Sequence, residues 1–383
     1  MLIGGLLEKV IGVRHNILLG GLFLVSGTIG ASFCTSVTPL VFFYGFIFGA
    51  GIGISYSTPI VTCSRWFPKK KGLVTGLIVA GFGSGAFVFG ELALSISNPD
   101  GLNVDPDTLY FDPNSSVIQN VPRMFQVLGS IYAVMIVIAS FLVVEPTELI
   151  FAEKLSVEIT SFAADSEDTG GGSGNQGFDF DVSQVMSNSL GYHLSFCFIC
   201  TAVGGMFIAG NNKVYGEEYF SSEVYLSTVI SVSSVFNGTG RIAWGCLADN
   251  IGPIAALQIL SCLFSLVLLS YSTVAESQSE FMFAVWTFAI LFFEGGNFAL
   301  YLPTTIKLFG DRNASSNYGA IFLSYSLCNF VNIIYLADIG ISFVDASIFL
   351  GSLCFVGFLS LSWLSSRVTS IFSFERILED PYS

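Results

Sequence analysis

The amino-acid sequence predicts an all-α, polytopic membrane protein of about ten spans, and three observations carry that prediction. First, 52% of the 383 residues are hydrophobic and only 11% are charged, against about a quarter charged in an average soluble domain. So few ions cannot cover a soluble globule of this length, which excludes a soluble enzyme, a disordered chain and a nucleic-acid binder. Second, ten stretches are apolar over the roughly 20 residues a helix needs to cross a bilayer. Third, the 14 Lys and Arg fall almost entirely on one side of those stretches.

The spans run near 16–36, 39–62, 72–95, 123–144, 189–209, 221–243, 252–271, 281–304, 316–336 and 343–364. They are rich in Phe, Leu, Ile and Gly, and lack the alternation over about ten residues that marks a barrel strand. The first is too long for a signal peptide, has no small-residue cleavage site and is followed by further spans. With the N-terminus inside, the inner segments hold Lys9, Arg14, Arg65, Lys69, Lys70, Lys71, Lys154, Lys307, Arg312, Arg367 and Arg376. The outer segments hold Arg123 and Lys213, and Arg241 lies within a span. Positive charge stays inside, so both termini are expected in the cytoplasm, under either the plasma membrane or an internal one.

The acidic excess, net charge −14, is positional. Residues 145–188 carry nine Asp or Glu, one Lys and the run Gly170-Gly171-Gly172-Ser173-Gly174, the composition of a solvated linker. The expected plan is a bundle at 1–144, a linker at 145–188, a second bundle at 189–365 and a tail at 366–383. Neither this linker nor the acidic loop 97–122 has the Gly-centred spacing of a calcium loop. Cys197-x-x-Cys200 lies inside a span without nearby ligands. No nucleophile–base pair, phosphate loop or dinucleotide fingerprint is present, so neither catalysis nor a metal or other cofactor is predicted.

The two halves repeat. Gly4-x-Leu6-x-Glu8 followed by Gly12 recurs as Gly245-x-Leu247-x-Asp249 followed by Gly252. Pro59, after Tyr56, recurs as Pro303, after Tyr301. Two motifs at nearly one offset indicate duplication, the plan of transporter halves. The second half has two spans before its Gly-x-Leu-x-Asp turn and the first has none. A plan of twelve helices is therefore expected, with the first two missing from this chain.

This plan resembles the major facilitator superfamily. Gly49-Ala50-Gly51-Ile52-Gly53-Ile54-Ser55-Tyr56-Ser57-Thr58-Pro59, Arg65-Trp66-Phe67-Pro68-Lys69, Asn237-Gly238-Thr239-Gly240-Arg241, Gly295-Gly296-Asn297 and Asn317-Tyr318-Gly319 are similar to the oxalate/formate antiporter family and to the related monocarboxylate porters. The resemblance implies a two-bundle carrier, with Glu8 and Asp249 as latches between the bundles. Around Glu8 the pattern departs: an extra residue precedes Gly12, and no arginine follows the acid.

Arg241 is the leading candidate for the substrate site. An arginine within a span is costly, and its planar fork grips a carboxylate through two parallel bonds. Asn237, one turn earlier on the same face, completes the Asn-x-x-x-Arg setting that the resemblance assigns to substrate. Tyr56 and Asn297 are candidate polar groups of the same pocket. Tyr325 falls where the oxalate transporters place a lysine, and no Lys or Arg occurs from 313 to 366. One cation instead of two favours a monocarboxylate over a dianion. Glu294, in the middle of a span, is the candidate for proton coupling. The expected function is secondary active transport of a small organic anion by alternating access, with a proton as a candidate co-substrate. The alternative is a non-transporting, receptor-like pseudo-transporter or an inactive fragment.

Overall fold

The computed structural model describes residues 1–102, 111–146, 179–220, 222–339 and 342–379. The linker core at 147–178, the loop residues 103–110 and residues 380–383 of the tail lie outside the described residues. Helix α1 (Leu2–Ala31) is followed by α2 (Val37–Trp66), α3 (Lys71–Ser97) and α4 (Ser116–Leu142). The second half holds a short α5 (Val182–Ser187), then α6 (Ser189–Glu217), α7 (Glu223–Ile251), α8 (Pro253–Val274), α9 (Glu280–Phe309), α10 (Ala314–Ile339) and α11 (Phe343–Glu379). A 30-residue helix is about 45 Å long, enough to cross a bilayer.

Eight of these helices are long and apolar enough to span by length and composition alone. The other two of the ten expected spans are α7 and α10. Helix α7 is just as helical, but Ser, Thr, Asn and Arg interrupt its apolar run. Both lie at the junction of the two halves, α7 against α3 and α10 against α1. The first span also differs from expectation. Helix α1 begins at Leu2, breaks at Gly12 (φ 78°, ψ 164°) and ends at Ala31. The Gly4-x-Leu6-x-Glu8 turn is thus the end of a helical segment of its own.

Gly252 (φ 91°, ψ 148°) ends α7 in the same way. A positive φ of this kind strains any residue with a Cβ, so the repeated glycine has a repeated backbone reason. The halves then meet backbone to backbone at two equivalent seams. A methyl group on Gly72 or Gly76 of α3 would overlap the carbonyl oxygens of Gly245 and Arg241 on α7. A methyl on Gly5 of α1 would crowd the Ser316 backbone, and one on Gly319 the backbone of Leu2.

The end of Phe67–Lys71, Gly252 and Asp311 is tied shut. Asp249 accepts from the backbone N–H groups of Gly72 and Leu73 at 2.7 and 2.8 Å, capping α3 from the opposite half. Glu8 instead accepts from two hydroxyls, Thr58 at 2.9 Å and Ser315 at 2.8 Å. Lys71 pairs with Asp311 at 2.7 Å, and Lys9 donates to Asn313 at 2.6 Å. Lys71 and Asp311 are partly exposed, and such a pair contributes little. The capped N-terminus is worth more, because its acceptor is charged and its donors would otherwise be orphans. Asp249→Asn is therefore expected to speed amide hydrogen exchange at Gly72 and Leu73 roughly tenfold or more. Unchanged exchange there would show that Asp249 does not hold this end closed.

Residues 179–188, placed in the linker by composition, are built into the second half. Asp181 and Gln184 form a reciprocal cap on α5. The Phe180 oxygen accepts from Asn313 and Asn317 at 2.9 and 3.0 Å, and its N–H donates to the Phe309 oxygen at 3.0 Å.

Candidate functional site

Arg241 is 6% exposed on α7, on the face that meets α3. Its Nε donates to Asn237 Oδ1 at 2.9 Å, one turn earlier. Its Nη1 donates to the Val79 backbone oxygen of α3, also at 2.9 Å, so the guanidinium bridges the two halves. Tyr56 of α2 is a close neighbour of the guanidinium. The rings of Phe82 and Phe298 stand 5.9 and 5.5 Å from its central carbon, within the range at which a ring attracts a cation. Asn237 is itself fixed, donating to the Leu291 oxygen at 3.1 Å. Gly83 makes the approach possible: a Cβ there would lie 2.9 Å from Asn237 Oδ1 and 3.2 Å from Arg241 Nε.

A cavity of about 280 Å³ opens onto this cluster, with Phe82, Gly83, Asn212, Ser233, Asn237 and Arg241 in its lining. Its α7 residues precede Arg241, so it extends away from the closed end. An arginine in the lining of open volume, in a wall otherwise free of charge, can take up an anion by charge-assisted hydrogen bonds.

The structure brings Arg241, Asn237 and Tyr56 together. Asn297 and Tyr325 lie behind that group rather than in the cavity lining. Asn297 donates to the Thr201 oxygen at 3.0 Å, tying α9 to α6. Tyr325 stacks on Phe198 at 4.9 Å and meets Phe298 edge-on at 5.7 Å, so Phe298 touches both Tyr325 and the cation. Asp249 faces the start of α3 and does not pair with Arg241. Glu294 is 1% exposed. Among the described residues neither of its oxygens meets a hydrogen-bond donor in good geometry. It is pressed against Gly205 of α6, where a Cβ would overlap its carboxyl group, and has Asn297 and Arg241 as neighbours.

Four participants were not singled out from sequence: the Val79 carbonyl, Phe82, Phe298 and Tyr318, which is 1% exposed and close to Arg241. A backbone carbonyl leaves no residue signature. The sequence signal for the aromatic groups is thin, because Phe is abundant along every span. Among the described residues there is no group of three or more His, Cys, Asp or Glu able to hold a metal. Cys197, Cys200 and Cys354 are buried and form no disulfide among the described residues.

The comparisons with known proteins agree with this architecture. The chain is 27% identical to the apicoplast pyruvate carrier 1 of Toxoplasma gondii over 84% of its own length and 63% of that protein's. It is 26% identical to the oxalate:formate antiporter of Oxalobacter formigenes, over 82% of this chain and 66% of the antiporter. The chain thus spans about two thirds of the length of these relatives. Among solved structures, a proton:xylose symporter superposes with a TM-score of 0.65 at 14% identity, covering 94% of this chain and 81% of the symporter. A fucose transporter in its outward conformation gives 0.63 at 15% identity, covering 95% and 86%. At such identities these two show the fold alone. The family model described as Major Facilitator Superfamily matches residues 1–333, and the chain is a member of that superfamily of membrane transporters.

Proposed function

We propose that the protein carries a small monocarboxylate across the bilayer by alternating access, with Arg241 as the carboxylate anchor. The observation that carries this reading is the guanidinium held at the junction of the halves and in the lining of an open cavity. Asn237 orients it, and Tyr56 lies beside it. The names of the two relatives, a pyruvate carrier and an oxalate:formate antiporter, support a small organic acid as cargo. The lack of a second cation between 313 and 366 supports a single carboxylate. The closed end carries Lys9, Arg65, Lys69 and Lys71, which supports a cytoplasmic position for it by the positive-inside rule. The arrangement is then outward-facing, with Asp249 and Glu8 as the latches that must release. Uptake of labelled formate, lactate, pyruvate and oxalate into proteoliposomes tests the reading. Saturable uptake of a monocarboxylate in preference to oxalate supports it. No uptake of any of the four favours a non-transporting protein.

Glu294 is the proposed carrier of a co-transported proton, because an acid takes up or gives up its proton as its surroundings switch between dry and wet. Uptake by the native protein is expected to change with pH across a gradient. In Glu294→Gln that dependence should flatten, with uptake at the least favourable pH altered by less than about twofold. An unchanged pH profile removes Glu294 from coupling.

A further inference from the structure

The cavity above Arg241 contains a second polar position, and its donors and acceptors are unevenly used. Along α7 its wall is one face of the helix, with Ser233, Asn237 and Arg241 at successive turns. Asn237 is engaged at both ends of its amide, by Arg241 and by the Leu291 oxygen. Asn212, across the cavity on α6, is engaged in the same way: it donates to Thr287 at 3.1 Å and accepts from Tyr271 at 2.7 Å. Ser233 differs. It is 5% exposed, and its only hydroxyl proton is spent on the Ile230 oxygen at 2.7 Å. What Ser233 has left are oxygen lone pairs, so it can accept a hydrogen bond but has no proton to give.

We propose that Ser233 is a specificity-determining residue of the transport site, accepting a hydrogen bond from a hydroxyl group on the transported monocarboxylate. This rests on the reading of Arg241 as the carboxylate anchor. Spacing selects the position of that hydroxyl. Arg241 lies two turns from Ser233, but its side chain runs back along the helix until Nε reaches Asn237. The cation is therefore about one turn from Ser233, roughly 6 Å. A hydroxyl on the second or third carbon of the acid spans that gap while the carboxylate stays on the guanidinium. An oxo group at the same place finds no donor on Ser233. The unsubstituted acid leaves Ser233 without a partner on that side.

Uptake of labelled 3-hydroxybutyrate by the full chain in proteoliposomes, in competition with unlabelled 3-hydroxybutyrate, butyrate and lactate, tests the proposal. The native protein is expected to prefer 3-hydroxybutyrate to butyrate by about tenfold, the worth of one hydrogen bond. In Ser233→Ala that ratio should fall to about one, with the KM for butyrate unchanged. Ser233→Thr keeps the hydroxyl and should keep the preference. Equal affinity for 3-hydroxybutyrate and butyrate in the native protein overturns the proposal without any variant, while leaving Arg241 as the anchor. A ratio that survives in Ser233→Ala also overturns it. Absence of uptake of all three acids overturns this inference, and the carboxylate reading falls with it only where formate and pyruvate are not carried either.

Discussion

Exchanging Arg241 for lysine is expected to lower uptake at least about a hundredfold while leaving the protein in the membrane. The guanidinium already serves Asn237 through Nε and Val79 through Nη1, and it still has nitrogens to present to a carboxylate. A lysine ammonium is a compact point charge with no fork. It cannot keep both existing partners and grip a carboxylate through two parallel bonds. Two charge-assisted hydrogen bonds, each worth about 1.5–3 kcal/mol, account for that factor or more. Uptake per molecule of membrane-inserted protein is the measurement. A lysine variant within threefold of the native rate would remove Arg241 from the substrate site.

A loss of similar size is expected from Gly76→Val. Even the first carbon of a side chain at Gly76 would overlap the Arg241 carbonyl oxygen, and that obstacle is backbone in a neighbouring helix. Helices α3 and α7 would have to part, and overpacking of this kind costs about 1–3 kcal/mol even where side chains can yield. Uptake should fall more than about tenfold, and exchange of the Gly72 and Leu73 amides should quicken as they lose Asp249. Gly81→Val is the control. Nothing lies within 4 Å of a Cβ built there, so transport should change by less than about twofold. Equal effects at the two glycines would show that the seam is not the sensitive element.

The repeated turn and the Arg241–Asn237 pair were legible in sequence because each is local. A Gly-x-Leu-x-acid segment followed by glycine announces its own backbone, and Gly12 and Gly252 adopt matching positive φ values. Residues one turn apart on a helix must share a face. What sequence did not supply depends on which helices touch. Val79 lies 162 positions from Arg241, and only the approach of α3 to α7 makes them partners. Asn297 shows the reverse case: a polar residue within a span reads as part of a pocket, yet its bond goes to the Thr201 backbone. Glu8 was expected to mirror Asp249. Displaced by one residue relative to its glycine, it meets the hydroxyls of Thr58 and Ser315 in place of backbone N–H groups.

The two glycine-lined seams bear on the thermodynamics of movement. Joining surfaces made of side chains freezes rotamers, at up to about 2 kcal/mol for each long residue. At Gly72, Gly76 and Gly245 the touching groups are backbone atoms already fixed within helices. Closing this contact therefore surrenders almost no conformational entropy, and opening it recovers almost none. The balance between open and closed is left to a few enthalpic ties at the rim, so breaking one or two hydrogen bonds is enough to move it.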